Sequence, residues 1–444
     1  MASNQLSVTV QRPSFREALQ FWFKLGWISF GGTAAHIAIM HEELVEQKRW
    51  ISNGKFLHAL SHCMVLPGPE AQQLAIYIGW KLHRKRGGVV AGTLFVLPSM
   101  FILLGLSLIY VKWGNLPWVA AMFNGLKPAV IALVVVALQR IAKRALRGAV
   151  EGIVAAVAFA AMFFFDVSLL LVMLSAVVLG IVLGMVRPDL LHRPIETSGE
   201  DDEGGYYISL KPVTPEPAPR LRPMAKLMAL VLTLWLLPLA AMGFFARDFH
   251  FWRSLVLFFT KTAFVTVGGS YTVIPYVAQV TVSKLHWLTR LQMTDGFALA
   301  ETTPGPLIIV VAFVGFMAGY NHFHRSLWMG TLGLLVTTFY TFLPCFFFVF
   351  AGAPLVEQTQ SKPTIQGVLA LITAVVVGAI LQLTLFLGRT VVFPTGTLAL
   401  RGVDAVSIGW VILSLVLQLK FKRNVVQLIL LSIGFGLIRH VARL

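Results

Sequence analysis

Two short stretches interrupt the most apolar parts of the chain in the same way, LPGPEAQQ (Leu66–Gln73) and TPGP (Thr303–Pro306). Each places a Pro-Gly-Pro triplet, Pro67–Gly68–Pro69 and Pro304–Gly305–Pro306, inside a long hydrophobic run. Proline has no backbone donor and clashes with the preceding turn, so one helix must stop there and another restart with proline near its first position. The restarted helix has unsatisfied N–H groups and the positive end of its dipole at the break, an arrangement suited to anions. Two such ends brought together would cradle a small anion. The plain alternative is a pair of packing kinks, which apolar helices tolerate.

Other polar residues stand close by. Lys24 in FWFKLGWISFGG and Lys261 in FFTKTAFVTVGG precede the glycine pairs Gly31–Gly32 and Gly268–Gly269 at the same spacing. An unpaired ammonium at the centre of a bilayer costs about 2.5–3.5 kcal/mol on insertion scales, so each lysine either contacts an anion or snorkels to the interface. The glycine pairs permit close backbone approach, to a neighbouring helix or to an ion. His36 is either a relay residue or a hydrogen-bonded packing residue. Glu70 and Glu301 flank the two breaks on opposite sides. Either carboxylate could carry a coupling proton, as could His36; Glu70 reads alternatively as a helix cap, which suits Glu301, ahead of its break, less well. Gln72 and Gln73 complete the set of candidate substrate contacts.

The elements that hold these residues are membrane helices. The chain is 57% hydrophobic and 12% charged, with a mean hydropathy of +0.78, outside the range of soluble domains. Thirteen apolar segments recur, centred near residues 29, 68, 100, 128, 157, 176, 236, 268, 308, 338, 375, 412 and 431. Their lengths suit helices crossing a ~30 Å core, and no period of two suggests a β-barrel. The net charge of +17 sits in short clusters between apolar runs, which marks topology rather than a nucleic-acid partner. Lys and Arg are roughly twice as frequent in the segments that face inward when the N-terminus is cytoplasmic and the C-terminus periplasmic. Cys63 and Cys345 lie in apolar runs and read as buried free thiols, and no cleavable leader is evident.

Shifting the sequence by 237 residues lays Phe21, Lys24, Gly31, Gly32, Trp50, Pro67, Gly68 and Pro69 on Phe258, Lys261, Gly268, Gly269, Trp287, Pro304, Gly305 and Pro306. The matches fall on residues with special backbone or packing roles, so an internal repeat is expected. Seven crossings separate the copies, an odd number, which predicts two repeats of opposite orientation as in secondary transporters. Residues 1–186 form the first repeat, 187–226 a hydrophilic cytoplasmic linker rich in proline and acid, and 227–444 the second repeat preceded by one extra helix. The expected fold is an all-α membrane protein of about thirteen transmembrane helices, broken at the PGP motifs. No phosphate loop, HExxH pair or GxSxG elbow occurs, so no enzyme, cofactor or metal site is expected, and uphill movement must use an ion gradient.

At the residues FGG with a downstream His, PGP with the following Gln, and DGFALAETTPGP, the chain resembles the chromate ion transporter family. The resemblance spans both halves. It implies a long, two-repeat bacterial inner-membrane protein that lowers cytoplasmic chromate by gradient-driven efflux, with a proton as the coupling ion. GGTAAH stands where the family has a proline after its paired glycines, and the linker is longer. The expectation is export of chromate by alternating access, by a monomer or homodimer in the lipid bilayer, with no nucleic acid. A sulfate or other oxyanion importer, an anion channel, and a membrane sensor using the acidic linker are the rivals.

Overall fold

The computed structural model describes residues 12–187, 205–208, 221–245, 248–266, 270–352, 363–393 and 403–442. Gly268, Gly269 and most of the 187–226 linker lie outside the described residues. Among the described residues the secondary structure is helical, apart from one isolated bridge, Ile51 to Ile208.

Among the described residues six helical stretches are long and apolar enough to cross a membrane: Glu70–Trp113, Pro117–Ala145, Leu169–Val186, Met224–Phe244, Leu327–Gly352 and Gly367–Val392. The segments centred near 29, 68, 268 and 308 are each split into two short helices. In the first half these are α1 (Phe15–Ile28) and α2 (Gly32–His41), then α3 (Asn53–Val65) and the start of α4 (Glu70–Trp113). Long helices α5 (Pro117–Ala145), α6 (Ala149–Phe164), α7 (Leu169–Val186) and α8 (Leu221–Phe245) follow. The second half splits again into α9 (Phe249–Val265) and α10 (Ser270–Ala278), then α11 (Arg290–Glu301) and α12 (Val310–His322). The chain closes with α13 (Leu327–Phe347), α14 (Pro363–Val392), α15 (Ala405–Leu419) and α16 (Val425–Val441). Gly31–Gly32 at the first split and Pro-Gly-Pro at residues 67–69 and 304–306 stand where a helix interior disfavours them.

The halves share even their irregularities at the 237-residue shift. α2 and α10 each run into a π-helical turn, Glu42–Gln47 and Gln279–Lys284. Lys48 N donates to Glu43 O as Leu285 N does to Val280 O, at 2.9 and 2.8 Å. Arg49 and its counterpart His286 both take a left-handed conformation, with φ of 52° and 49°. Ser52 and Thr289 then cap α3 and α11, each satisfying an N–H that the first turn leaves open.

Side-chain contacts show that each split segment is a hairpin. Lys24 pairs with Glu43 at 2.8 Å, Glu17 with Lys48 at 3.8 Å, and the Phe21 and Trp50 rings meet edge-on at 5.5 Å, so α1 and the α2 arm run antiparallel. Phe258 and Trp287 repeat the ring contact at 5.7 Å. α4 is itself two antiparallel arms, because His83 and Arg84 leave helical geometry. The arms touch so closely that a Cβ on Gly87 would overlap the Gly79 carbonyl.

One end of the molecule gathers Arg12 and Phe15 against His83, at 2.9 Å and 5.4 Å between rings. A second end gathers Asp248 and Phe251 against His322, at 2.7 and 4.3 Å. The long arm of α4, residues 85–113, starts at the first end and brings Tyr110 to Asp295 near the second. α13 starts beside the second end and its continuation brings Phe350 to Trp80 near the first. The two ends therefore lie at opposite ends of full-length helices. Large apolar side chains on α7 and α8, such as Leu171, Met185 and Leu237, are exposed, and only 6% of the most apolar window of α8 is buried, as on a lipid-facing surface.

Candidate substrate site at the broken helices

The breaks of the two halves meet. Gly68 N donates to Thr266 O at 2.6 Å, and Gly305 N donates to Ser29 O at 2.7 Å. Gly68 and Gly305 are related by the 237-residue shift, and so are Ser29 and Thr266, so the two bonds are copies that cross between halves. The prolines supply the break, and glycine between them is required by backbone geometry: φ is +127° at Gly68 and +99° at Gly305, where an L side chain is strained. Space is short as well. A Cβ on Gly68 would stand 2.8 Å from Cys345 Sγ of α13, and one on Gly305 2.6 Å from Ser99 Oγ of α4. Each glycine thus abuts a small side chain on the long helix of the opposite half.

The two central N–H groups are thus satisfied by carbonyls of the opposite half. Helix starts remain available around them. α2 begins after Gly31 (φ 99°), α4 after Pro69 and the single 3₁₀ turn Leu307–Ile309 after Pro306, all without a side-chain cap. Glu70 sits in the first turn of α4, 6% exposed, beside the positive end of the helix dipole.

The polar groups about the breaks are buried. Gln73 Nε2 donates to Pro67 O at 2.5 Å and ties the break shut from below. Gln72 Nε2 donates to Gly92 O at 3.3 Å. Among the described residues the Oε1 of each glutamine has no hydrogen-bond partner. His36 is buried, its ring edge-on to Phe95 at 5.5 Å. Neither ring nitrogen forms a well-shaped hydrogen bond, although the Ser29 backbone lies near enough to act on it. Glu301, also buried, accepts from Tyr271 Oη at 3.2 Å. That hydroxyl is 3.4 Å from where a Cβ on Gly32 would stand, so carboxylate, tyrosine and glycine pair come together from both halves.

Lys24 and Lys261 are elsewhere. α1 buries Ala18, Phe21, Trp22, Leu25 and Gly26, which puts Lys24 on the opposite face, 59% exposed and paired with Glu43. α9 buries Phe258, Phe259, Thr262 and Ala263, and Lys261 is again outward. The structure brings neither lysine to the breaks.

Sequence reasoning missed a charged group near the second end. Lys127 Nζ lies 3.0 Å from Asp295 Oδ1, with side chains only 11% and 5% exposed. Tyr110 Oη donates to Asp295 Oδ2 at 2.9 Å, and Lys127 donates to Asn124 at 3.1 Å. A lone lysine in the apolar run of α5 was the available signal.

A sequence model of chromate transporters matches the chain twice, over residues 16–181 and 253–437. The chain belongs to the chromate transporter family. The two matches begin 237 residues apart, the shift that superposes the split helices. Family membership together with the apolar helices makes this a multi-pass membrane protein. Similar relatives include a chromate transport protein of Pseudomonas aeruginosa, 30% identical over 94% of this chain and 90% of its own. Another, from Cupriavidus metallidurans, is 27% identical over 92% of this chain and 89% of its own. No solved structure matches the chain.

Proposed function

We propose that the protein is a secondary active transporter that exports chromate from the cytoplasm by alternating access, with the anion held where the broken helices meet. The crossed bonds from Gly68 to Thr266 and from Gly305 to Ser29 carry this reading, because they bring uncapped helix starts of both halves to one buried place. Helix N-termini recognise a tetrahedral dianion without a resident cation. The names of the relatives supply chromate, and sulfate has the same charge and shape.

The repeats are read as inverted: hairpins α1/α2 and α3/α4 enter from the first end and α9/α10 and α11/α12 from the second, their tips meeting near mid-membrane. Nine helices then cross, namely the long arm of α4, α5 to α8, and α13 to α16. The odd number puts the termini on opposite sides. Arg12, Lys81, Arg84, Lys85 and Arg86 at the first end favour the cytoplasm there, leaving the C-terminus periplasmic.

The membrane potential suffices as a driving force. An ion with two negative charges leaving an inside-negative cell gains about 4.6 kcal/mol per 100 mV, from about 2.3 kcal/mol per charge. A coupling proton would add to this. Glu70 and Glu301 are its candidate carriers, since a dianion and two ionised carboxylates sharing a dry site would repel one another strongly.

Uptake of radiolabelled chromate into everted vesicles, under separately imposed potential and pH gradients and with sulfate as competitor, tests the proposal. Saturable uptake driven by an inside-positive potential is expected. Flux that does not saturate would make the protein a channel, and sulfate uptake in preference to chromate would change the substrate.

A further inference from the structure

A cavity of about 780 Å³ opens near the second end, away from the PGP breaks, and Lys127, Arg290, Arg389, Arg439 and His440 line it together with Asp404. A neighbouring cavity of about 420 Å³ is lined by Asp295, Tyr110 and Arg325 and shares Asn124 and Lys127 with the first. The Lys127–Asp295 pair stands where the two adjoin. Arg439 Nη1 donates to Asp404 Oδ2 at 2.8 Å and to Ser407 Oγ at 3.0 Å, which fixes one guanidinium in the cavity wall.

Five basic side chains, Lys127, Arg290, Arg325, Arg389 and Arg439, gathered with two carboxylates are costly to assemble, since like charges repel and a membrane protein gains nothing in topology from cations at this end. Arg439 runs against the charge bias that sets orientation. The first half has nothing comparable: Asn53 and His58 stand where Arg290 and Asp295 do in the second. The cluster therefore has no origin in the repeat and needs its own explanation.

We infer that this cavity is an anion-binding vestibule, in which Arg290, Arg389, Arg439 and Lys127 take a divalent oxyanion on its way between the outer solution and the broken helices. Counted over both cavities, Lys127, Arg290, Arg325, Arg389 and Arg439 outnumber Asp295 and Asp404, an excess of positive charge that suits a dianion. Lys127 is the innermost contact, and it exchanges Asp295 for the oxyanion when one arrives. The choice of chromate as the natural ion rests on the function proposed above; the vestibule itself does not, because sulfate can serve as the probe. The same chemistry would hold a phospholipid headgroup, so the test separates the two.

The test places a cysteine at Ala120, which lines both cavities, in the purified full chain in nanodiscs. The native Cys63 and Cys345 are buried. Rates of modification by an anionic and by a cationic methanethiosulfonate are each normalised to the same reagent's rate with a small thiol in solution. The anionic reagent should react at least about 10-fold faster at low salt, the minimum expected of a focusing cleft, and millimolar sulfate or chromate should slow it. Arg389→Gln and Arg290→Gln should each pull the ratio toward one. Arg439 also ties α15 to α16, so those two variants carry the test if Arg439→Gln fails to fold. Equal normalised rates for both reagents, or indifference to sulfate, would overturn the inference. So would slowing by phosphatidylglycerol in place of phosphatidylcholine with no effect of sulfate, which would make it a lipid site. Failure here with saturable chromate export intact would leave the proposed function standing.

Discussion

The Lys127–Asp295 pair gives the most direct energetic test. At 3.0 Å and an effective dielectric near 20, the attraction is about 5–6 kcal/mol. Removing one partner of a buried pair costs about 3–5 kcal/mol, because the other charge stays behind without compensation. In Asp295→Asn, Tyr110 can still donate to the side-chain carbonyl, so the loss falls on Lys127, left with Asn124 at 3.1 Å. Lys127 also lines the cavities, and water there should hold the cost to the lower figure, about 3 kcal/mol. At about 2 °C per kcal/mol, the large-domain end of the usual scale, the apparent midpoint should fall by roughly 6 °C. Lys127→Met combined with Asp295→Asn removes both charges and should recover most of that. Melting curves of the wild type, both single variants and the double variant in one detergent make the cycle. Additive losses, with the double variant worse than either single one, would refute the view that the two charges are coupled.

The crossed glycine bonds predict that Gly68→Ala and Gly305→Ala each cut chromate export by more than about tenfold per transporter, since a strained φ costs about 1–3 kcal/mol before the clash with Cys345 or Ser99 is counted; export at the wild-type rate in either would reduce PGP to a kink. Cysteines at Glu46 and Ser283, equivalent and exposed positions, should be modified by impermeant reagent from opposite faces of the membrane, and labelling from one face would remove the inverted repeat. Lys24→Gln and Lys261→Gln should leave the half-saturation concentration for chromate unchanged, given their outward placement; a tenfold rise would return them to the site. The hydrogen bond with His322 is the largest influence holding the Asp248 carboxyl below the usual carboxylate range. Its small contribution, under about 1 kcal/mol for so exposed a pair, should be whole above the ordinary carboxylate value and vanish as pH falls through the lowered one, and His322→Ala should flatten that slope in acid melting curves, leaving the part held by the Phe251 N–H.

The positions of the breaks were legible because proline and glycine act locally: Pro67–Gly68–Pro69 cannot be helix in any surroundings. The repeat was legible for the same reason, resting on Gly, Pro and Trp where ordinary core residues drift. What the sequence hid was direction. A run such as that around residue 29 is apolar enough to count as one crossing, and only the contacts of Lys24 with Glu43 and Phe21 with Trp50 show the chain turning back. Lysine placement was hidden as well. Equivalent lysines in equivalent helices imply equivalent environments, yet they do not say which face the helix buries, and on α1 the buried face is the one bearing Phe21, Trp22 and Leu25. Lys127 escaped attention because it is single, and its partner is 168 positions away along the chain.

The centre is duplicated and the basic cavity is not, a difference that would follow if the protein exports a dianion by the alternating access proposed above. A site reached alternately from two sides has to look alike from both, so crossed copies of one bond, Gly68 to Thr266 and Gly305 to Ser29, suit the middle of the membrane. On that proposal the two solutions differ. At the inner face the dianion would leave a cytoplasm whose potential expels it. At the outer face it would exchange a cradle of oriented N–H groups for water, with no further help from the potential once the membrane is crossed. Cations there lower that step, but an excess beyond the ion's own charge would hold it in place. Passage requires binding strong enough to draw the ion in and weak enough to let it go. Asp295 and Asp404 would meet that requirement by offsetting part of the cationic charge, and Asp295, 3.0 Å from Lys127, is placed to reclaim the lysine as an anion departs.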